Sequence, residues 1–242
     1  MVFLGNPGTG KTTVARELAG ILRQEGLLKS GHYVEIKAAD IISPYVGVSA
    51  KNAQLAIYKA IDGLLFIDEA YALVGHGGSK GNASNEVIDT LTPLIENYRD
   101  RLCVVLAGYG TEMTEMVEKT NTGFSSRFQN MVHFENYNAS EMVKIFELMS
   151  NAKHLRFSPD VKKRIQQIFE CFEEVSTQIS TFANARTVRN FIEKIEARMG
   201  ERFVSKPSRG MDMDAIYLSD TELTDAEIWS VLGVVKQSAS SL

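Results

Sequence analysis

The chain has 242 residues, 44% of them hydrophobic and 23% charged, with a formal net charge of −4. This excludes a disordered or fibrous protein and leaves room for one sizeable core, or for a core with a small second domain. The acidic balance argues against a broad nucleic-acid surface, and no apolar run approaches the ~20 residues that span a bilayer, so neither nucleic acid nor membrane is an expected partner.

A short apolar run, Met1 to Leu4, leads into Gly5-Asn6-Pro7-Gly8-Thr9-Gly10-Lys11-Thr12, and Thr13 opens a helical pattern that continues to Leu22. Strand, glycine-rich turn and helix in that order form the setting in which G-x-x-x-x-G-K-[ST] acts as a phosphate loop. Glycines let backbone N–H groups crowd around phosphate oxygens, and the new helix aims its positive end at them. Lys11 would reach the β- and γ-phosphates, and the Thr12 hydroxyl would ligate Mg²⁺. The predicted ligand is a nucleoside triphosphate.

Further along, Tyr33 to Ile36 reads as a strand, Ile41 to Gly47 as a loop, and Ala50 to Ile61 as a helix. Leu64-Leu65-Phe66-Ile67 is continuously apolar, as a parallel strand buried on both faces should be. Asp68-Glu69 ends it, where open α/β sheets bind ligands. Asp68 would hold Mg²⁺, and Glu69 would orient and deprotonate an attacking water, which points to hydrolysis rather than storage.

Leu73 to Ser84, with four glycines, is expected to be a mobile loop. Val87 to Tyr98 keeps helical spacing, and Pro93 within it predicts a kink or an early break. Leu102 to Ala107 is another buried strand, Thr111 to Glu118 a helix, and Met131 to Phe134 the last strand. These β–α units predict an α/β fold, a parallel sheet flanked by helices.

After Tyr137 only helices are expected. Asn138 with Glu141 opens one, Ser158-Pro159 another and Asn184 a third. The domains expected are 1–137, 138–204, and a linker with a C-terminal helix and tail over 205–242. Cys103 and Cys171 read as buried thiols of a reducing compartment, consistent with a cytoplasmic location. The four histidines lack metal-ligand spacing.

The phosphate loop, Leu65-Phe66-Ile67-Asp68-Glu69-Ala70-Tyr71, Leu106-Ala107-Gly108-Tyr109, Gly123-Phe124-Ser125-Ser126-Arg127-Phe128 and Asn184-Ala185-Arg186-Thr187-Val188-Arg189-Asn190 occur in the order of an AAA+ ATPase. Together they resemble the CbbX/CfxQ branch, which includes red-type Rubisco activases, stage V sporulation protein K and the AAA+ module of type VII secretion ATPases. The resemblance covers roughly Met1 to Phe203. It implies ATP and Mg²⁺ as ligands, an α/β P-loop domain followed by a small helical lid, and a homo-oligomer, a hexamer by the family's habit. A protein client, Rubisco among the candidates, and a plastid stroma for a photosynthetic eukaryote follow from the same likeness.

Arg127 matches the family's arginine finger, which reaches the nucleotide of a neighbouring subunit, and Arg186 matches the sensor-2 arginine of the lid. Tyr45-Val46-Gly47 matches the aromatic pore loop that grips a client peptide. The polar sensor-1 position falls on Tyr109 rather than the more usual Asn. Family members also carry a segment upstream of the first strand that packs on adenine, so the likeness implies a piece of a longer chain, weak in ATP affinity by itself. Three readings stay open: a protein-remodelling ring, a nucleotide-switched scaffold or secretion/assembly ATPase, and a DNA-associated AAA+ ATPase.

Overall fold

The first half of the chain builds a five-stranded, all-parallel sheet from β1 (Val2–Gly5), β2 (Tyr33–Lys37), β3 (Leu64–Asp68), β4 (Cys103–Gly108) and β5 (Met131–Phe134), in the order β2-β3-β4-β1-β5. The computed structural model describes residues 1–45, 47–74, 78–176, 182–205, 214–222 and 224–232. By contacts the chain divides into two units, Met1–Gly5 with Gly10–Phe134, and Asn6–Thr9 with Glu135–Leu242.

In the first unit, the two-residue side-chain period of a strand sorts the sheet into two faces. Leu64, Phe66, Val105, Ala107 and Phe3 point one way, against Ala15 and Ala19 of α1 (Lys11–Gln24). Leu65, Ile67, Val104, Leu106, Val2 and Leu4 point the other way. They meet α3 (Val48–Ala60) through Ala53, Ile57 and Ala60, and α4 (Gly78–Asn97) through Val87, Ile88 and Leu91. Central strands covered on both faces must be apolar throughout, which is why β3 carries no polar residue before Asp68. The short α2 (Ala38–Ile41), α5 (Gly110–Lys119) and α6 (Thr122–Ser125) complete this unit.

Three expectations are corrected. The glycine-rich stretch read as a loop up to Ser84 is helical from Gly78, with 75–77 outside the described residues. Helix α4 also continues through Pro93 to Asn97, without the early break that the proline allowed for. The proline falls within two turns of the helix end, and the acceptor it abandons, Asp89, is exposed, so water can serve the freed carbonyl. Finally, both cysteines are free, but only Cys103 is shielded, with burial pushing its thiol pKa up; Cys171 is exposed.

The second unit is a helical cluster of α7 (Ala139–Ala152), α8 (Pro159–Ser176), α9 (Ala185–Ser205) and α10 (Asp225–Leu232), with a two-stranded parallel ladder of β6 (Arg156–Phe157) and β7 (Ala215–Ile216). Asn138 and Glu141 form a full capping box at the start of α7, and Ser158 caps α8 ahead of Pro159. Phe146, Phe169 and Phe191, one from each long helix, meet with ring centroids 5.5–6.2 Å apart. The segment read as a linker with a C-terminal helix and tail adds Ile216, Val231 and Leu232 to this core, the last two from the expected helix. Among the described residues no helix is long and apolar enough to cross a membrane.

Candidate nucleotide site

All five strands run the same way, so Gly5, Asp68 and Gly108 lie at one edge of the sheet, the carboxyl edge. The register makes this specific: Leu4 is level with Gly108, and Ile67 with Leu106, so β3 ends within a residue or two of the point where β1 leaves the sheet. From that edge the chain turns at Gly10 (φ 92°) into α1. Gly10 has no side chain to cap the amides of the first turn, which have no carbonyl of their own helix to donate to. Those amides, with the helix dipole, favour an anion.

Lys11 is buried, and its ammonium donates to the carbonyl oxygen of Gly5 at 2.7 Å. Thr12 follows half-buried, and Thr13 is exposed. A buried lysine beside uncapped amides fits a phosphate group. Thr12 and Asp68 supply hard oxygen ligands of the kind Mg²⁺ takes. Mg²⁺ completes its shell with water and phosphate oxygens, so it needs no larger cluster. Among the described residues no group of three or more His, Cys, Asp or Glu stands together.

The middle of the loop, Asn6–Thr9, packs in the second unit. Gly8 (φ 73°) admits no side chain, because a Cβ there would lie 2.1 Å from the carbonyl oxygen of Ala183. The Ala185 amide donates to Gly8 O at 3.1 Å, and the Tyr137 hydroxyl to Thr9 O at 3.0 Å. Arg186 is exposed in the first turn of α9.

Glu69 adopts a left-handed conformation (φ 51°), and its amide donates to Asp68 Oδ1 at 3.0 Å. A non-glycine residue held there costs roughly 1–2 kcal/mol, and such strain concentrates at functional positions. The kink turns the chain from β3 into the 3₁₀ turn Ala70–Leu73.

Tyr109, half-buried after β4, packs edge-on against Tyr71 with centroids 5.4 Å apart. Burial, and next the hydrogen bond to Tyr109, push the Tyr71 phenol pKa well above its ordinary value. Gly108 keeps room for the pair, since a Cβ there would meet the Tyr71 ring at 3.1 Å and the Met113 side chain still closer.

Arg127, just after α6, is half-buried and pairs with Glu96 of α4 at 3.1 Å, while also donating to the Gly123 carbonyl. Tyr45 is 73% exposed in the turn before α3, and Gly47 (φ 77°) precedes that helix; Val46 lies outside the described residues.

Glu96, Tyr71 and Asn184 escape a sequence reading as partners of the site. Glu96 lies 31 positions before Arg127 with no shared motif. Tyr71 and Asn184 both stand inside motifs of the AAA+ likeness, Asn184 also as a helix start, but neither carries a role there.

The chain matches the model of the AAA family, the ATPase family associated with various cellular activities, over residues 1–136. It matches that of the AAA lid domain over residues 138–228. It is 34% identical to the protein CfxQ homolog of Cyanidium caldarium, over 87% of this chain and 72% of that protein. It is 34% identical to the chloroplastic ribulose bisphosphate carboxylase/oxygenase activase of Cyanidioschyzon merolae, over 86% and 69%. With protein CbbX of Cereibacter sphaeroides the identity is 33%, over 89% and 68%. Among solved structures, the FIGL-1 AAA domain in complex with ADP shares the fold, with a TM-score of 0.63 at 17% identity over 96% of this chain and 71% of that one. The sheet order, the helical unit that follows it and these relatives agree: this chain belongs to the CfxQ/CbbX family of AAA ATPases and is itself an ATPase.

Proposed function

We propose that this chain is a subunit of an Mg²⁺-dependent ATPase ring, a hexamer, that remodels a protein client. The observation that carries the reading is the carboxylate pair Asp68-Glu69 at the sheet edge from which β1 leads into the phosphate loop. Lys11 and the amides of Gly8, Gly10 and Thr12 would hold the β- and γ-phosphates, and Thr12 and Asp68 the metal. Bound Mg²⁺ would neutralise charge developing on the phosphate oxygens.

Glu69 would align a water on the γ-phosphorus and take its proton as the new P–O bond forms. The bond to the bridging oxygen then breaks and releases ADP. Tyr109, at the sensor-1 position of the family likeness, would donate its hydroxyl to that water or to the γ-phosphate. On the family likeness, Arg127 stabilises the transferring group of a neighbouring subunit, and Arg186 contacts phosphate.

Tyr45, large, aromatic and exposed, suits a loop that grips a peptide by packing rather than by reading its sequence. The relative named as a Rubisco activase makes Rubisco the proposed client. The deciding experiment is Glu69→Gln, expected to retain ATP and to lose turnover. A variant that hydrolyses ATP at the wild-type rate removes Glu69 from the mechanism. A second reading, a nucleotide-switched scaffold, is favoured by the Arg127–Glu96 pair, which occupies the finger within its own chain. Absence of hydrolysis by the wild type at any protein concentration would select it.

A further inference from the structure

Asn184 is fully buried, yet it holds a left-handed backbone (φ 50°). Its Oδ1 accepts the Tyr137 amide at 2.8 Å. Its Nδ2 faces three acceptors, Asn136 Oδ1 at 2.9 Å, Phe182 O at 3.0 Å and Pro7 O at 3.3 Å. With two hydrogens for three acceptors, one hydrogen is shared. Asn136 Oδ1 in turn accepts from Asn6 at 3.0 Å.

The next residue, Ala185, donates to Gly8 O, and Tyr137 donates to Thr9 O. One carbonyl after another along Pro7-Gly8-Thr9 is therefore held by Asn184, Ala185 and Tyr137. A carbonyl bonded on one side fixes the peptide plane, and with it the direction in which the following N–H points. Those N–H groups are what a phosphate cradle presents.

We propose that Asn184, seconded by Tyr137, is a positioning residue for the phosphate cradle: it locks the carbonyls of Pro7–Thr9 outward so that the amides converge on phosphate. This rests on the reading of Gly5–Thr12 as the triphosphate site. Asparagine is required for two reasons. It tolerates the left-handed conformation better than most residues, and its short amide both donates and accepts. Aspartate would set a carboxylate against three oxygen acceptors.

The test uses the whole chain, with ADP affinity measured by calorimetry and ATP KM and kcat measured separately. Asn184→Gly keeps access to the positive φ and removes only the side-chain bonds. It should raise the ADP Kd and the ATP KM about tenfold, with a smaller effect on kcat. Tyr137→Phe, which deletes one oxygen, should move the same two constants in the same direction by less. Lower thermal stability of Asn184→Gly with unchanged KM and Kd would overturn the proposal, since Asn184 would then serve packing alone. If Asn184→Gly fails to fold, Tyr137→Phe decides, and wild-type KM and Kd in it overturn the proposal. Lys11→Ala separates the two levels. If it binds ADP normally, the nucleotide site itself is misread and this inference falls with it. If it loses ADP while both clamp variants bind like wild type, only this inference falls.

Discussion

The guanidinium of Arg127 lies 3.1 Å from the carboxylate of Glu96, whose other oxygen accepts from Arg99 at 3.0 Å. A finger that acts on a neighbour must either leave this carboxylate or be aimed by it. The pair is partly exposed, so its hold is worth no more than about 1 kcal/mol. Arg127→Ala is expected to lower turnover by roughly 10³-fold or more, with nucleotide still bound. Glu96→Gln should shift the protein concentration of half-maximal specific activity by up to about fivefold, downward if the pair is a restraint. Assaying turnover against protein concentration checks both, and a flat dependence in the wild type contradicts a role across subunits.

The strained backbone at Glu69 makes a second forecast. Glycine occupies the left-handed region freely, which relieves roughly 1–2 kcal/mol, while its looser unfolded chain costs roughly 0.5–1 kcal/mol. Glu69→Gly should therefore be as stable as the wild type or up to about 1.5 kcal/mol more stable in chemical denaturation, with hydrolysis lost. A clear loss of stability would mean the carboxylate is needed for folding rather than for chemistry.

Tyr71 and Tyr109 pack ring edge against ring, so they should behave as one unit in kinetics. Tyr71→Phe and Tyr109→Phe are expected to lower kcat by similar factors, and the double variant by little more than either alone. Independent, multiplying effects in that cycle would show the phenols acting separately.

The fourth forecast concerns acid. Glu227 on α10 accepts the Thr224 amide at 2.8 Å and pairs with Arg198 at 2.6 Å, and these contacts, the amide first, hold its carboxyl down to about 2 from an ordinary 4.5. A folded pKa below the unfolded one gives stability that is fully present above about pH 4.5 and is lost as pH falls through that value toward 2. Comparing melting temperatures of wild type and Glu227→Gln should show a gap at neutral pH that closes across this window.

Tyr45 supplies the last test. On the proposed pore-loop reading, Tyr45→Ala should abolish ATP-driven activation of the proposed client, Rubisco, whereas Tyr45→Phe and Tyr45→Trp should keep most of it, because packing needs the ring and not the hydroxyl. Loss with all three substitutions would assign the tyrosine a specific hydrogen bond instead.

What could be read in the sequence was what depends on neighbours along the chain. Leu64–Ile67 announces a doubly covered strand, Asn138 with Glu141 a capped helix, and Gly5–Thr12 a loop for phosphate, since each signal sits within one element. Helix α4 was misjudged for the same reason. Glycines near Gly78 carry a local preference for turns, yet Ser84, Val87 and Leu91 are buried on the sheet side, and packing overrides a propensity of about 1 kcal/mol per glycine. The partners of Arg127 and Asn184 were hidden because they are set by the three-dimensional path: Asn184 reaches Pro7 across 177 positions.

The strand order has one more implication, for how the molecule is made. Val2 in β1 is flanked by Leu106 of β4 and Met131 of β5, so neither neighbour exists until more than a hundred residues have been synthesised. Through that interval β1 waits without either of these neighbours, while β2 and β3 can already join. Assembly of the sheet is thus closed by its oldest strand, a long-range step that slows folding and leaves Val2-Phe3-Leu4 open to chaperones until β4 and β5 arrive.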